Sequence, residues 1–321
     1  MDWVQTNSSK PRAAFVVITH EEEIFRLRAT MVDLEERFNK NHNYPWIIIS
    51  DKPLSRRFRE WAISTTEAPV YFGQAPQIEW NEPYWIDVKR VEEGVKHKVN
   101  AEVKHGENIS WRRMTRYAAG YLAYHPLLKD LEFYWKVQPG SLYSCDIPDD
   151  PFQQMKKDSK KFSFLLTMTE NHLAAVGFEN TIKQFIANNK RLIQPIKNKR
   201  RLGEYKGKLS NCHIWNNFMI VSLPFLRSNQ YRILFEHVDN TGGFFYDRWS
   251  DSFLQTIAVS LFLNKKEISI ADLAGYSYAE AGVCPAKFKI YKNLGCTCQP
   301  ASYRGKLNLH FFNSTNIFDS I

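Results

Sequence analysis

Ala13-Ala14-Phe15-Val16-Val17-Ile18-Thr19 and Tyr44-Pro45-Trp46-Ile47-Ile48-Ile49-Ser50 are the two stretches that decide the fold. Both are nearly continuous apolar runs with polar flanks, the pattern of strands buried on both faces of a parallel sheet. Between them, Ile24, Leu27, Met31, Leu34 and Phe38 recur at helical spacing within residues 21–38. Strand, helix and strand in a span of about 35 residues make a βαβ unit, which predicts a right-handed crossover.

A third apolar run, Leu131-Glu132-Phe133-Tyr134-Trp135-Lys136-Val137, is stopped by Gln138-Pro139-Gly140. Ligands of open α/β sheets bind beyond the carboxyl ends of the strands. Gln138, and Asp146 shortly after it, therefore stand where chemistry is expected. Further strands are predicted at 70–72, 162–168 and 212–221, and helices at 58–65, 112–124, 181–193, 225–238 and 253–263. The strand 212–221 would place His213, Trp215, Asn217 and Met219 on one polar, aromatic face suited to a sugar. Residues 73–110 read as a loop with short helices, 194–210 as a mobile loop, and 242–246 as a turn. The expectation is a Rossmann-type α/β fold on a mixed sheet flanked by helices. A domain at 12–306 is expected between a flexible N-terminal segment, 1–11, and a tail, 307–321.

Composition excludes several classes. The net charge is +9, but the 43 basic residues are scattered, so a nucleic-acid partner is not expected. The densest run, at 197–201, reads as a solvated loop. No apolar run of about 18 residues predicts a membrane span. Residues 1–10 show no signal-peptide pattern, so membrane association would need an anchor outside this sequence. The 22 Phe, 15 Tyr and 9 Trp favour deep packing and stacking surfaces. Five cysteines, three of them in the last quarter, suit disulfides in a secretory lumen better than a zinc site, with one thiol left over. Acceptor triplets for N-glycosylation stand at Asn7, Asn108 and Asn313. No dinucleotide fingerprint, P-loop, nucleophile elbow, H-E-x-x-H or D-x-D clamp is present.

Several motifs together are similar to one family. They are Tyr44-Pro45-Trp46, Trp85-Ile86-Asp87, Tyr134-Trp135-Lys136-Val137 with Pro139, and Cys145-Asp146-Ile147. Downstream come Cys212-His213 with Trp215 and Asn217-Phe218, Gly242-Gly243-Phe244-Phe245-Tyr246, Arg248-Trp249 with Asp251, and Cys296-Thr297-Cys298. The chain resembles the fungal Golgi α-1,2-mannosyltransferases, glycosyltransferase family 15, colinearly over roughly residues 12–300. The resemblance implies a GT-A-like fold and a Golgi or secretory lumenal setting. It also implies Mn2+ and retaining transfer of mannose from GDP-mannose, a nucleotide sugar, to mannosylated N- or O-glycan or glycolipid acceptors.

By the same resemblance, His20, Gln138 and Asp146 fall at nucleotide positions, and Gln138 and Ser277 at metal-ligand positions. Met219 falls at the nucleophile position, and Trp111 at a second catalytic position, where the family has a Tyr. His213, Trp215, Asn217, Arg248, Trp249 and Asp251 fall on the acceptor side. The departures coincide with the chemistry. The family has a carboxylate at 138, a carboxylate at 219 and a histidine at 277, where this chain has Gln, Met and Ser. An amide or hydroxyl oxygen is a poorer ligand for a hard cation than a carboxylate, and a thioether is no nucleophile toward an anomeric carbon. Asp146, Asp251 and Glu280 are the substitute carboxylates considered. The alternative is a catalytically inactive paralogue that binds glycans or a protein partner.

Overall fold

The computed structural model describes residues 10–193, 204–205, 208–209, 212–279 and 281–300. The strands are β1 (Ala13–Ile18), β2 (Trp46–Ser50), β3 (Val70–Gln74), β4 (Phe133–Val137), β5 (Leu142–Tyr143), β6 (Phe162–Phe164) and β7 (Thr167–Thr169). They continue with β8 (Glu204–Tyr205), β9 (Lys208–Leu209), β10 (Cys212–Ile214), β11 (Phe218–Ser222), β12 (Ile268–Ile270), β13 (Tyr276–Tyr278) and β14 (Ala281–Gly282). Seven of them form the main sheet in the order β12-β6-β11-β4-β1-β2-β3. Strands β4, β1, β2 and β3 run parallel, whereas β11 runs antiparallel to both β4 and β6. The mixed sheet predicted from the apolar runs is thus the sheet observed.

Alternation along the strands sorts side chains into two layers. Ala14, Val16, Ile47, Ile49 and Tyr134 join one core with the helices Ile109–Gly120, Asn229–Asp239 and Asp251–Phe262. Phe15, Val17, Trp46, Ile48 and Trp135 join the other with the helices Ile24–Arg37, Arg56–Ile63 and Pro151–Lys157. Both faces are covered, which is why these strands read as unbroken apolar runs. The helix Asp251–Phe262 is buried along its whole length.

Three expectations are corrected. The stretches 162–168 and 212–221 are each two short strands, because both chains leave the main sheet at the same level. β6 stays paired with β11 while β7 pairs with β10 in a separate ladder. The turn Trp215-Asn216-Asn217 lies between β10 and β11, and the Trp215 N–H donates to the Leu166 carbonyl at 2.9 Å. His213, Trp215, Asn217 and Met219 therefore do not share one strand face. The segment 73–110, read as loop and short helices, holds the 13-residue helix Val88–Asn100, capped by Asp87. Only Val91 and Lys98 of that helix are buried, yet Val88, Val91, Val95 and Val99 recur at helical spacing, a signal that the dense charge between them masks. Residues 243–246 form a short buried helix rather than a turn, entered through Gly242 at φ +73°.

Cys145–Cys296 and Cys284–Cys298 are disulfides, and Cys212 is outside them. The run 197–201, Asn7, Asn313, Glu280 and most of 194–210 lie outside the described residues, as do residues 1–9 and 301–321. Among the described residues, no helix is long and apolar enough to cross a membrane.

Candidate functional site

A cleft of about 460 Å³ opens beyond the carboxyl ends of β1 and β4. His20 follows β1, and its Nδ1 lies 3.2 Å from Asp51 Oδ1, just past β2. Its Nε2 lies 3.5 Å from Ser110 Oγ on the helix Ile109–Gly120. Gln138 follows β4 and lines the same space. This wall contains the ends of parallel strands, where a nucleotide is expected.

Polar groups that fix one another form the floor. Lys136 Nζ lies 2.8 Å from Asp251 Oδ2, and Asn216 Nδ2 donates to the same oxygen at 2.7 Å. The second Asn216 contact, 3.0 Å to Gln255 Oε1, ties the turn to the helix Asp251–Phe262. Ser250 caps that helix and so fixes the direction of Asp251, its first residue.

The opposite wall is cationic and aromatic. Arg248 is buried at φ +62°, a conformation disfavoured for a non-glycine residue. Its guanidinium lies 4.5 Å over the Trp111 ring and donates to Glu170 Oε2 at 3.0 Å. His105 also stacks on Trp111, 5.2 Å away with planes 9° apart. Burial would raise the Glu170 carboxyl, but the Arg248 charge, its hydrogen bond and the Asn171 N–H outweigh that and lower it. Burial pushes His213 down, and burial with Arg248 does the same to His105, so both rings favour the neutral form.

Of the residues singled out from the sequence, His20, Trp111, Gln138, His213, Trp215, Asn217, Arg248 and Asp251 line this cleft together. Four do not. Met219 is 1% exposed and packs in the core layer, although it stands opposite Lys136 in the β4–β11 ladder. Trp249 is buried against Phe178, its Nε1 donating to the Val176 carbonyl. Ser277 is buried in β13. Asp146 faces away, its carboxylate 2.8 Å from Arg37 Nη1. Their neighbours explain this: each position sits in a ladder, an aromatic cluster or an ion pair that turns the side chain from the cleft. Sequence reasoning missed Glu23, Arg26, Lys104, His105, Lys136, Glu170 and Asn216. Lys136 alone left a signal, as a charge inside an apolar strand.

The cleft does not fit a manganese ion. Gln138 offers a neutral amide, and Ser277 is not in the cleft. Each cleft carboxylate already has a partner: Asp251 has Lys136 and Asn216, Glu170 has Arg248, and Glu23 accepts from the Thr19 hydroxyl at 3.0 Å. Among the described residues, the one convergent set of three metal-ligand side chains is Cys145, Cys296 and Cys298. All three are consumed by disulfides.

A family profile described as glycolipid 2-alpha-mannosyltransferase matches residues 1–312. The chain is 34% identical over 309 residues to O-glycoside alpha-1,2-mannosyltransferase homolog 2 of Schizosaccharomyces pombe, covering 95% of this chain and 82% of that protein. It is 31% identical over 296 residues to the probable mannosyltransferase KTR3 of Saccharomyces cerevisiae, covering 92% and 73%. Core-mannan synthase A of Aspergillus fumigatus, solved in its Mn/GDP form, superposes with a TM-score of 0.87 at 28% identity. That superposition covers 94% of this chain and 82% of the synthase.

Proposed function

The chain belongs to the glycolipid 2-alpha-mannosyltransferase family, with its GT-A-like fold, and we propose that it transfers mannose from GDP-mannose to a mannosylated glycan. The transfer retains the anomeric configuration, and the acceptor is a mannose of a glycoprotein or glycolipid. The observation that supports this most directly is convergence. Residues from separate segments, chosen by motif position, meet in one cleft beyond β1 and β4.

The nucleotide lies along His20 and Gln138. The acceptor sugar lies along Trp111, Trp215, Asn217 and Arg248, where an indole face and hydrogen-bonding side chains suit a pyranose. His213 backs this side: it is held neutral, with Nδ1 2.9 Å from the Ile214 carbonyl. With Met219 buried in the core, the carboxylate at the floor is Asp251, fixed by Lys136 and Asn216. We read Asp251 as the group that stabilises positive charge developing on the mannose ring. Two disulfides suit a secretory lumen, the setting proposed for the chain.

A second reading rests on Met219. A thioether at the position where the resemblance implies a carboxylate suits a paralogue that binds the glycan without turning it over. Incubation with GDP-mannose and an α-mannobiose acceptor separates the two. A new α-linked mannose, absent with Asp251→Asn, supports the transferase. Acceptor binding without turnover sinks it and leaves the silent paralogue.

A further inference from the structure

We propose that Arg26 takes the place of a divalent ion and neutralises the diphosphate of the donor; this rests on the nucleotide-sugar reading above. A glycosyl donor that leaves as a nucleoside diphosphate places negative charge beyond β4 as its bond breaks. That charge needs a positive partner. Gln138, at the position where the resemblance implies a carboxylate, offers only a neutral amide oxygen, a poor ligand for a hard cation.

Arg26 stands beside that position. It is in the first turn of the helix Ile24–Arg37 and lines the cleft with Gln138. Its guanidinium lies against Gly140, two residues after Gln138. A Cβ at Gly140 would come within 2.8 Å of Nη2 and 2.9 Å of Nε, so the glycine makes room for the cation. Gly140 is at φ +91°, which also favours glycine. The arrangement is pinned one helical turn further on. The Gly140 N–H donates to Thr30 Oγ1 at 2.9 Å, and the Thr30 hydroxyl donates to the Ser141 carbonyl at 2.8 Å. Helix and turn are therefore one unit, and the position of Arg26 relative to Gln138 is set by it.

Arg26 is also the less committed cation. Lys136 is bound to Asp251 and Arg248 to Glu170. The Arg26 side chain is 58% exposed, with one long contact of 3.9 Å to Glu23. A planar guanidinium can hold two phosphate oxygens at once without a metal. In the step, the bond from C1 of mannose to the phosphate oxygen breaks, both electrons staying on that oxygen beside Arg26. The acceptor hydroxyl oxygen forms the new bond to C1, and its proton passes to the departing diphosphate.

Calorimetric titration of GDP and GMP into the full chain, in EDTA and in Mn2+, tests this. The expected result is GDP binding of similar strength in both, weakened roughly 10- to 100-fold by Arg26→Ala. Arg26→Lys should recover part of the loss, and GMP should respond less than GDP. Binding of GDP only with Mn2+ overturns the proposal and leaves the nucleotide-sugar reading intact. Metal-free binding that Arg26→Ala does not alter also overturns it. No GDP binding under either condition overturns both. Circular dichroism of Arg26→Ala confirms that the variant is folded.

Discussion

Lys136 Nζ stands 2.8 Å from Asp251 Oδ2, which joins the central strand β4 to the first residue of a helix buried along its whole length. The lysine side chain is 16% exposed and the aspartate 5%. Breaking a pair this buried leaves a charge without its counter-charge. Lys136→Met is expected to cost about 3–5 kcal/mol in urea unfolding. A loss below about 1 kcal/mol would mean that the pair behaves like a surface ion pair.

Gly275 has φ +79°, and a Cβ there would lie 2.6 Å from the Cys145 backbone nitrogen. Backbone strain and overlap with main chain add, so Gly275→Ala should lose about 2–4 kcal/mol. The melting temperature should fall accordingly, whereas Gly177→Ala should lose less. Gly177 also has positive φ, but its nearest neighbour atom, in Trp249, would be 3.7 Å from a Cβ.

His42, His105, His125 and His213 all sit below the ordinary histidine value, in each case first because of burial. The folded state disfavours protonating these rings, while the unfolded chain takes up protons near pH 6.5. Their contribution is complete above that pH and is lost as pH falls below it. The half-buried carboxyls of Asp33, Glu79 and Asp247 are raised, first by desolvation, and act in the opposite sense as they protonate. The histidine share is therefore read by difference. Between pH 6.5 and 5, His125→Gln should lose stability less steeply than the parent, by up to about one proton. Parallel pH profiles of melting temperature would refute this.

Arg248 lies over Trp111 and pairs with Glu170 on the acceptor wall. Arg248→Ala should raise the acceptor KM roughly tenfold through loss of a cation–π contact and a charged hydrogen bond. The donor KM should change little. Arg248→Gly should show the same acceptor defect and unfold at a higher temperature than Arg248→Ala, because it relieves the left-handed backbone. Equal acceptor KM values in parent and variants would remove Arg248 from the acceptor wall.

The sheet was legible because its strands are buried on both faces. Phe15 to Ile18 and Trp46 to Ile49 have no polar residue to confuse the period, and their parallel pairing follows from the helix between them. Legibility failed where side-chain polarity, not apolar period, decides the backbone. Asn216 breaks the stretch 212–221 by bonding Asp251 and Gln255. The helix Val88–Asn100 does space valines helically, at 88, 91, 95 and 99, but they stand among charged residues that read as loop. In the site, motif position found both walls but placed Met219, Trp249 and Ser277 in the cleft, where packing takes them out. Glu170 and His105 are single polar residues in unpatterned segments, and Arg26 is one polar residue on the outer side of a helix read only for its apolar face. Only their neighbours in space, Arg248, Trp111 and Gly140, give them meaning.

The Cys145–Cys296 bridge spans 151 positions of chain and anchors the segment that follows the β4 turn. A growing polypeptide cannot close it until residue 296 has entered an oxidising compartment. A molecule truncated before that point keeps Cys145 as a thiol. Closure of this bridge and synthesis of the stretch around residue 296 thereby become linked events, and a thiol-reactive probe would mark chains that stopped before it.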